Sequence, residues 1–334
     1  METPERPPDS TLARLEELLL GGPPSLTLPQ VAEQAGVEPA QVAAFWRALG
    51  LPVPDPDVAA FTPTDALVVE TVLRAGREFD LSGRTGVTLV RAIGHTTERL
   101  VTWQVESLVE HMAFRYALDD TTARILVLDR LADVVPLLEL QLVHAWRRQV
   151  AAIAGRFAQT YAQAHVPEQT DDLPLARAVG FADMVSFTTR SAGLGPGALA
   201  ELVGGFEAAA RDTVTALGGR VVKTIGDAVL FVADDIETGA RVALGLADAL
   251  GAGSSTPVRV GLTWGRVISR FGDVFGPSVN VAARMTAQAE PGTVMLDAST
   301  GAHLAGRAGF ALAPQPEREV AGLGPVSPVR LSRA

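Results

Sequence analysis

The sequence predicts an α+β protein built in two parts. An all-helical region covers 1–166, a short linker covers 167–175, and a ferredoxin-like sheet-and-helix domain covers 176–334. Three observations carry this. Apolar residues recur at helical spacing almost everywhere before the linker and change to short strand-like runs after it. The stretch Pro167-Glu168-Gln169-Thr170-Asp171-Asp172-Leu173-Pro174 is polar, aperiodic and carries two prolines, which is linker chemistry. Charge also divides there: residues 1–172 hold 24 acids and 14 bases, and residues 173–334 hold 14 of each.

The N-terminal elements follow from periodicity. Leu12, Leu15 and Leu18 to Leu20 form one stripe, and Val42, Phe45, Trp46 and Leu49 another. Thr27 to Val37 followed by Gln41 to Arg47 has the outline of a helix-turn-helix. A DNA reader needs cations for phosphates and bases. Between Thr27 and Leu51 only Arg47 is basic, against Glu33 and Glu38, so the segment reads as a packed helical corner and not as a nucleic-acid surface. A long amphipathic helix is expected from Leu137 to about His165, with Pro136 in its first turn, where a missing N–H costs nothing.

Beyond the linker, Ala176 to Ala182 reads as a strand and 197–217 as a helix stopped by Gly218-Gly219. The runs Arg220 to Ile225 and Ala228 to Val232, joined by Gly226-Asp227, read as a hairpin. A helix at about 236–250 and a strand from Val258 to Thr263 complete a β-α-β-β-α-β order, with a further helix at about 278–289.

That topology places the first and third strands side by side and antiparallel. Asp183, ending the first, and Asp227, beginning the third, therefore converge at one edge. Two close carboxylates need a cation or a raised pKa to coexist, and paired carboxylates are what divalent ions on nucleotide phosphates use. Met184 to Thr188 leads from strand toward helix and offers backbone N–H groups to phosphate oxygens. Asn280 and Arg284 lie four apart, hence on one helix face. The glycine-punctuated loop before them presents Asp273.

Composition adds one signal. Of 28 basic residues, 27 are Arg and one is Lys, at position 223. In a chain that uses Arg almost everywhere, this marks Lys223 as a candidate for a position where Arg cannot do the job. Cysteine is absent, which excludes disulfides and Cys-based metal or redox sites and fits a cytoplasmic protein. The first residues lack the pattern of a signal peptide, and no apolar stretch is long enough for a transmembrane span.

Taken together, Phe181 to Thr188, Val222 to Asp227, Gly265-Arg266-Val267 and Asp273 to Arg284 resemble the signature of the class III nucleotide cyclases. The resemblance implies that Asp183 and Asp227, with Met184 beside them, bind two Mg²⁺ or Mn²⁺ per active site. It implies that Lys223 and Asp273 read adenine, that Asn280 orients the ribose and that Arg284 stabilises the transition state. Arg266, Phe187 and Thr188 are implied in substrate binding. The substrate is then ATP, and a homodimer carries two composite active sites. Lysine only donates and carboxylate only accepts, which complements adenine N1 and its 6-amino group and not guanine. A diguanylate cyclase is disfavoured because no Gly-Gly-Asp/Glu-Glu-Phe segment occurs, and a non-enzymatic regulator because the carboxylate pair is intact. The layout is also similar to soluble actinobacterial cyclases with an N-terminal helical regulatory domain, including pH-sensing mycobacterial ones. That similarity implies control of the catalytic dimer by pH, with His144 and His165 as titrating groups, or by a lipid or other small ligand in the helical domain.

Overall fold

The computed structural model describes residues 11–163 and 176–334 apart from Ala252, Ser255 and Phe271. The chain divides into two compact units, Met1–Pro167 and Glu168–Ala334. The expected linker and His165 lie outside the described residues.

The first unit is helical: α1 (Thr11–Leu20), α2 (Leu28–Ala35), α3 (Pro39–Ala48), α4 (Pro63–Glu78), α5 (Gly83–Tyr116) and α6 (Asp120–Gln163). Local chemistry sets the boundaries. Thr27 and Gln30 form a capping box at the start of α2, and Thr62 and Asp65 form one at the start of α4. The helical corner of α2 and α3 closes on Val31, Ala35, Val42 and Phe45, which are buried with Phe61 and Val69. A second small core joins α5 to the first part of α6 through Val109, Ala123 and Val127.

Here the structure corrects one expectation. The long helix begins at Asp120, not near Leu137, and Pro136 lies inside it. The Asp119 side chain accepts from the Thr122 N–H at 3.1 Å and so caps the earlier start. An interior proline loses one backbone hydrogen bond at a cost of about 3 kcal/mol. Burial of Ala123 and Val127 upstream offsets it. Among the described residues, no helix is long and apolar enough to cross a membrane.

The second unit contains β1 (Ala176–Met184), α7 (Phe187–Ser191), α8 (Pro196–Ala216), β2 (Arg220–Ile225), β3 (Ala228–Ala233), α9 (Ile236–Ala249) and β4 (Val258–Arg266). These are followed by β5 (Ile268–Arg270), β6 (Asp273–Phe275), α10 (Pro277–Gln288), β7 (Val294–Leu296), α11 (Ala298–Leu304), β8 (Phe310–Pro314), β9 (Arg318–Val320), β10 (Gly324–Val326) and β11 (Val329–Arg333). The main sheet runs β2-β3-β1-β4-β7-β11-β8, with β1 antiparallel to both β3 and β4. This is the expected ferredoxin-like order, extended at one side.

Strand alternation separates the two faces. Ala178, Ala182, Phe231, Val260 and Leu262 bury against Phe206, Val214, Val242 and Leu246 of α8 and α9. Val179, Leu230 and Val232 face the other way and pack with Val274 and with Ala282 of α10. Gly261 lets α10 lie close on the sheet: a Cβ there would fall 2.2 Å from the Thr286 backbone nitrogen.

Candidate active site

The carboxylates meet as the topology requires. Asp183 pairs with Ala228 across β1 and β3, and the Met184 N–H donates to the Asp227 carbonyl at 2.9 Å. Gly226 makes the turn possible with φ 60°, a region open to glycine at little cost. β1 extends past Ala182 to Met184 because β4 pairs with it along its full length. In that pairing Arg259 lies opposite Asp183. Its guanidinium donates to Asp183 Oδ2 from Nη2 at 2.6 Å and from Nε at 2.8 Å. Burial nonetheless pushes the Asp183 carboxyl above its ordinary pKa; Arg259 opposes the shift and the Asp227 charge adds to it. One arginine therefore leaves this cluster short of positive charge.

That deficit suits a divalent cation. Among the described residues, no group of three or more His, Cys, Asp or Glu side chains is placed to hold one. Two carboxylates, backbone oxygen and oxygens from water or phosphate form the ligand set Mg²⁺ takes on nucleotides. The donor set here fits it. Ser186, at φ 58°, turns the chain directly from the carboxylates into α7, where Phe187 is half-buried against the core and Thr188 is exposed.

A second cluster lies on the α10 face of the sheet, in a cavity of about 1090 Å³. Phe181, Leu230, Val274, Phe275 and Val279 form apolar wall, and Lys223, Asn280 and Arg284 supply polar groups. Lys223 Nζ lies 2.5 Å from Asp273 Oδ2, while Asp273 Oδ1 accepts from the Val274 N–H at 2.8 Å. A bulge in β2 between Val221 and Lys223 seats Val222 and Lys223 in succession on this face. Asn280 and Arg284 share the face of α10 that lines the cavity, as their spacing predicts. The β9–β10 turn contributes Ala321, Gly322 and Leu323, which bring no charge.

Residues 176–331 match the family described as the adenylate and guanylate cyclase catalytic domain. A relative from Glutamicibacter nicotianae, named adenylate cyclase, is 41% identical over 99% of this chain and 84% of its own length. The chain belongs to the class III nucleotide cyclases. Another relative of that name, from Streptomyces coelicolor, is 36% identical over 99% of this chain and 93% of its own. A Mycobacterium tuberculosis protein named pH-sensitive adenylate cyclase is 30% identical over 80% of this chain and 67% of its own. The first two matches span both units of this cyclase, so the helical half shares the relationship.

One feature of the cyclase site departs from the sequence reading. Arg266 is not brought to either cluster. It pairs with Ala176 at the opposite end of the strand pair from Asp183, roughly 20 Å away at about 3.3 Å per residue. Its carbonyl accepts from the Ser278 hydroxyl, and its side chain does not line the cavity. The cation beside the carboxylates is Arg259, which the sequence reading missed. The available signal was a lone charge in the apolar run Val258-Arg259-Val260-Gly261-Leu262, together with the β1–β4 register. Asp183, Asp227 and Arg259 are absent from the wall of the cavity that holds Lys223, Asn280 and Arg284.

Proposed function

We propose that this cyclase converts ATP to 3′,5′-cyclic AMP and pyrophosphate, at composite sites formed by two copies of the chain. The observation that carries the adenine reading is the Lys223–Asp273 pair, whose Lys223 lines the cavity together with Asn280 and Arg284. Lys223 donates to adenine N1 and Asp273 accepts from the 6-amino group; guanine presents the reverse pattern. The two-copy reading is supported by the separation of the carboxylate cluster from the base cavity within one chain.

In the reaction the ribose 3′-oxygen attacks the α-phosphorus. The bond from that phosphorus to the bridging oxygen breaks, pyrophosphate leaves, and the 3′ proton is lost. Asn280 holds the ribose so that the attacking oxygen lies in line. Arg284 faces the charge that builds on the five-coordinate phosphorus, fixed in advance by α10. Arg259 takes the phosphate role expected of Arg266, and Phe187 and Thr188 border the phosphates. Two Mg²⁺ or Mn²⁺ held by Asp183, Asp227 and the Met184 backbone would neutralise phosphate charge and lower the pKa of the 3′-hydroxyl.

We infer further that the helical unit regulates turnover. A cavity of about 500 Å³ between α3, α4 and α5, lined by Phe45, Leu73, Val87 and Val90 with Arg77 and Asp80, supports a lipid or other small apolar ligand as input. The mycobacterial relative's name supports pH as an input, with His144 on α6 and His165 as the titrating groups. Incubation with ATP or GTP and Mn²⁺ tests the central reading. Cyclic AMP from ATP, with little cyclic GMP from GTP, is expected. No cyclic product from either nucleotide would overturn it.

A further inference from the structure

The cavity that takes the base has few polar side chains. Phe181, Leu230, Val274 and Val279 line it with hydrocarbon, and the polar side chains among its lining residues are Lys223, Asn280 and Arg284. Asn280 and Arg284 belong to the ribose and the α-phosphorus in the reading above. The base therefore meets Lys223 and the Asp273 carboxylate paired with it. The order of donor and acceptor in this pair is fixed. Asp273 Oδ1 is held by the Val274 N–H at 2.8 Å, so the carboxylate cannot trade places with the ammonium. Such a pair does not read a purine as such. It reads a ring nitrogen with a lone pair beside an exocyclic amino group. Adenine carries that edge at N1 and the 6-amino group, and cytosine carries the same edge at N3 and the 4-amino group. Guanine and uracil both carry the reverse, a ring N–H beside a carbonyl.

We propose that this cyclase has a second activity, the conversion of CTP to 3′,5′-cyclic CMP and pyrophosphate. This goes beyond the ATP reading and rests on the same Lys223–Asp273 pair. The bond changes are the same: the 3′-oxygen of CTP attacks the α-phosphorus, the bond to the bridging oxygen breaks, pyrophosphate leaves, and the 3′ proton passes to solvent. Ring size sets the rate. Cytosine lacks the five-membered ring, so with its ribose at Asn280 its reading edge falls short of where the edge of adenine lies. A cavity of about 1090 Å³ does not exclude the smaller base. Lys223 has a flexible four-carbon stem and a side chain 40% exposed, which lets the ammonium follow the edge inward. Asp273, tied to the backbone, follows less, so the ribose is drawn out of line. A misplacement of about 1 Å costs about 10²-fold. CTP is therefore a slow substrate. Preference for it over UTP, a base of the same size with the reversed edge, is the signature of the pair.

Nucleotides that differ only at this edge provide the test. The full chain with Mn²⁺ is given ATP, CTP, UTP, GTP and 2-amino-ATP in separate reactions, and the cyclic products are identified by mass spectrometry. For CTP, kcat/KM is expected about 10²- to 10³-fold below that for ATP and at least about tenfold above that for UTP. Cyclic CMP formed no faster than cyclic UMP would overturn the proposal. Lys223→Ala should reduce the ratio of CTP to UTP turnover by about tenfold or more. That ratio is taken within one preparation, so any loss of folded protein cancels. An unchanged ratio would also overturn the proposal, since selection would then not come from the pair. 2-Amino-ATP and GTP share a ring system and a 2-amino group and differ only at the edge, so they test the adenine reading by themselves. Preference for 2-amino-ATP over GTP without preference for CTP over UTP would refute the cytosine activity and leave the adenine reading standing. No preference within either couple would refute both.

Discussion

The catalytic unit holds two carboxylate–cation pairs, and they are built for different tasks. Lys223–Asp273 is a closed pair: one short contact, with the second Asp273 oxygen satisfied by the backbone of Val274. Asp183–Arg259 is an open one. Arg259 places two donors on a single Asp183 oxygen, yet burial and Asp227 still hold the Asp183 carboxyl above its usual range. A closed pair presents a fixed donor and acceptor pattern, which suits reading a base. An open pair retains unmet negative charge, which suits binding cations that arrive with phosphate.

Substitutions should separate the two pairs. The largest effect is expected at the open one: Asp183→Asn or Asp227→Asn lowers kcat by about 10³-fold or more. Arg284→Ala, in the cavity, is expected to cost about 10²- to 10³-fold in kcat with little change in KM. Lys223→Ala should act on selection, reducing the preference for ATP over GTP by about 10- to 100-fold in kcat/KM; unchanged preference would reject its role. Arg259→Ala and Arg266→Ala form a direct contrast. The first should weaken kcat/KM by about tenfold or more, as loss of a charge-assisted contact does, while the second stays near the parent. Equal losses would restore the role first given to Arg266.

Stability offers smaller effects with a definite sign. The folded chain holds the Asp183 proton to higher pH than the unfolded chain. The stability this group contributes is complete below the unfolded carboxyl range, about pH 3.9, and is lost as pH rises through the folded value. Ionised Asp183 is then a liability without metal, and Arg259, itself 37% exposed, offsets it only in part. Asp183→Asn should melt above the parent at pH 7 in chelator, with the gap closing toward pH 4. Excess Mn²⁺ should stabilise the parent and reverse the order. The smallest change is expected at Thr263, whose buried hydroxyl has no hydrogen-bond partner among the described residues. Thr263→Val keeps the shape and removes that group, so stability should rise by about 0–1 kcal/mol, measured by chemical denaturation.

Much of the catalytic unit was legible in the sequence because its elements are short and sharply punctuated. Gly226-Asp227 fixed the hairpin, and the β-α-β-β-α-β order then dictated that Asp183 and Asp227 meet. The i, i+4 spacing of Asn280 and Arg284 was enough to put both on one wall of the cavity. Arg259 was hidden for a different reason. Its importance lies in a partner 76 residues away that only strand register identifies. Arg266 misled in the opposite sense, being close in sequence to motif residues but at the far end of the paired strands. In the helical unit, Pro136 suggested a helix start. The cap at Asp119 and the small α5–α6 core, which depend on tertiary packing, decided otherwise.

The division of labour between the pairs can be tested without any structure of the complex. Asp183→Asn lacks the open pair and Arg284→Ala lacks the transition-state cation, so each alone should be nearly inactive. If each site takes its carboxylates from one copy and its base cavity from the other, an equimolar mixture allowed to exchange subunits contains mixed dimers with one intact site. Such a mixture should recover about a quarter of parent activity with ATP and Mn²⁺. A mixture no more active than its two components would contradict the composite site.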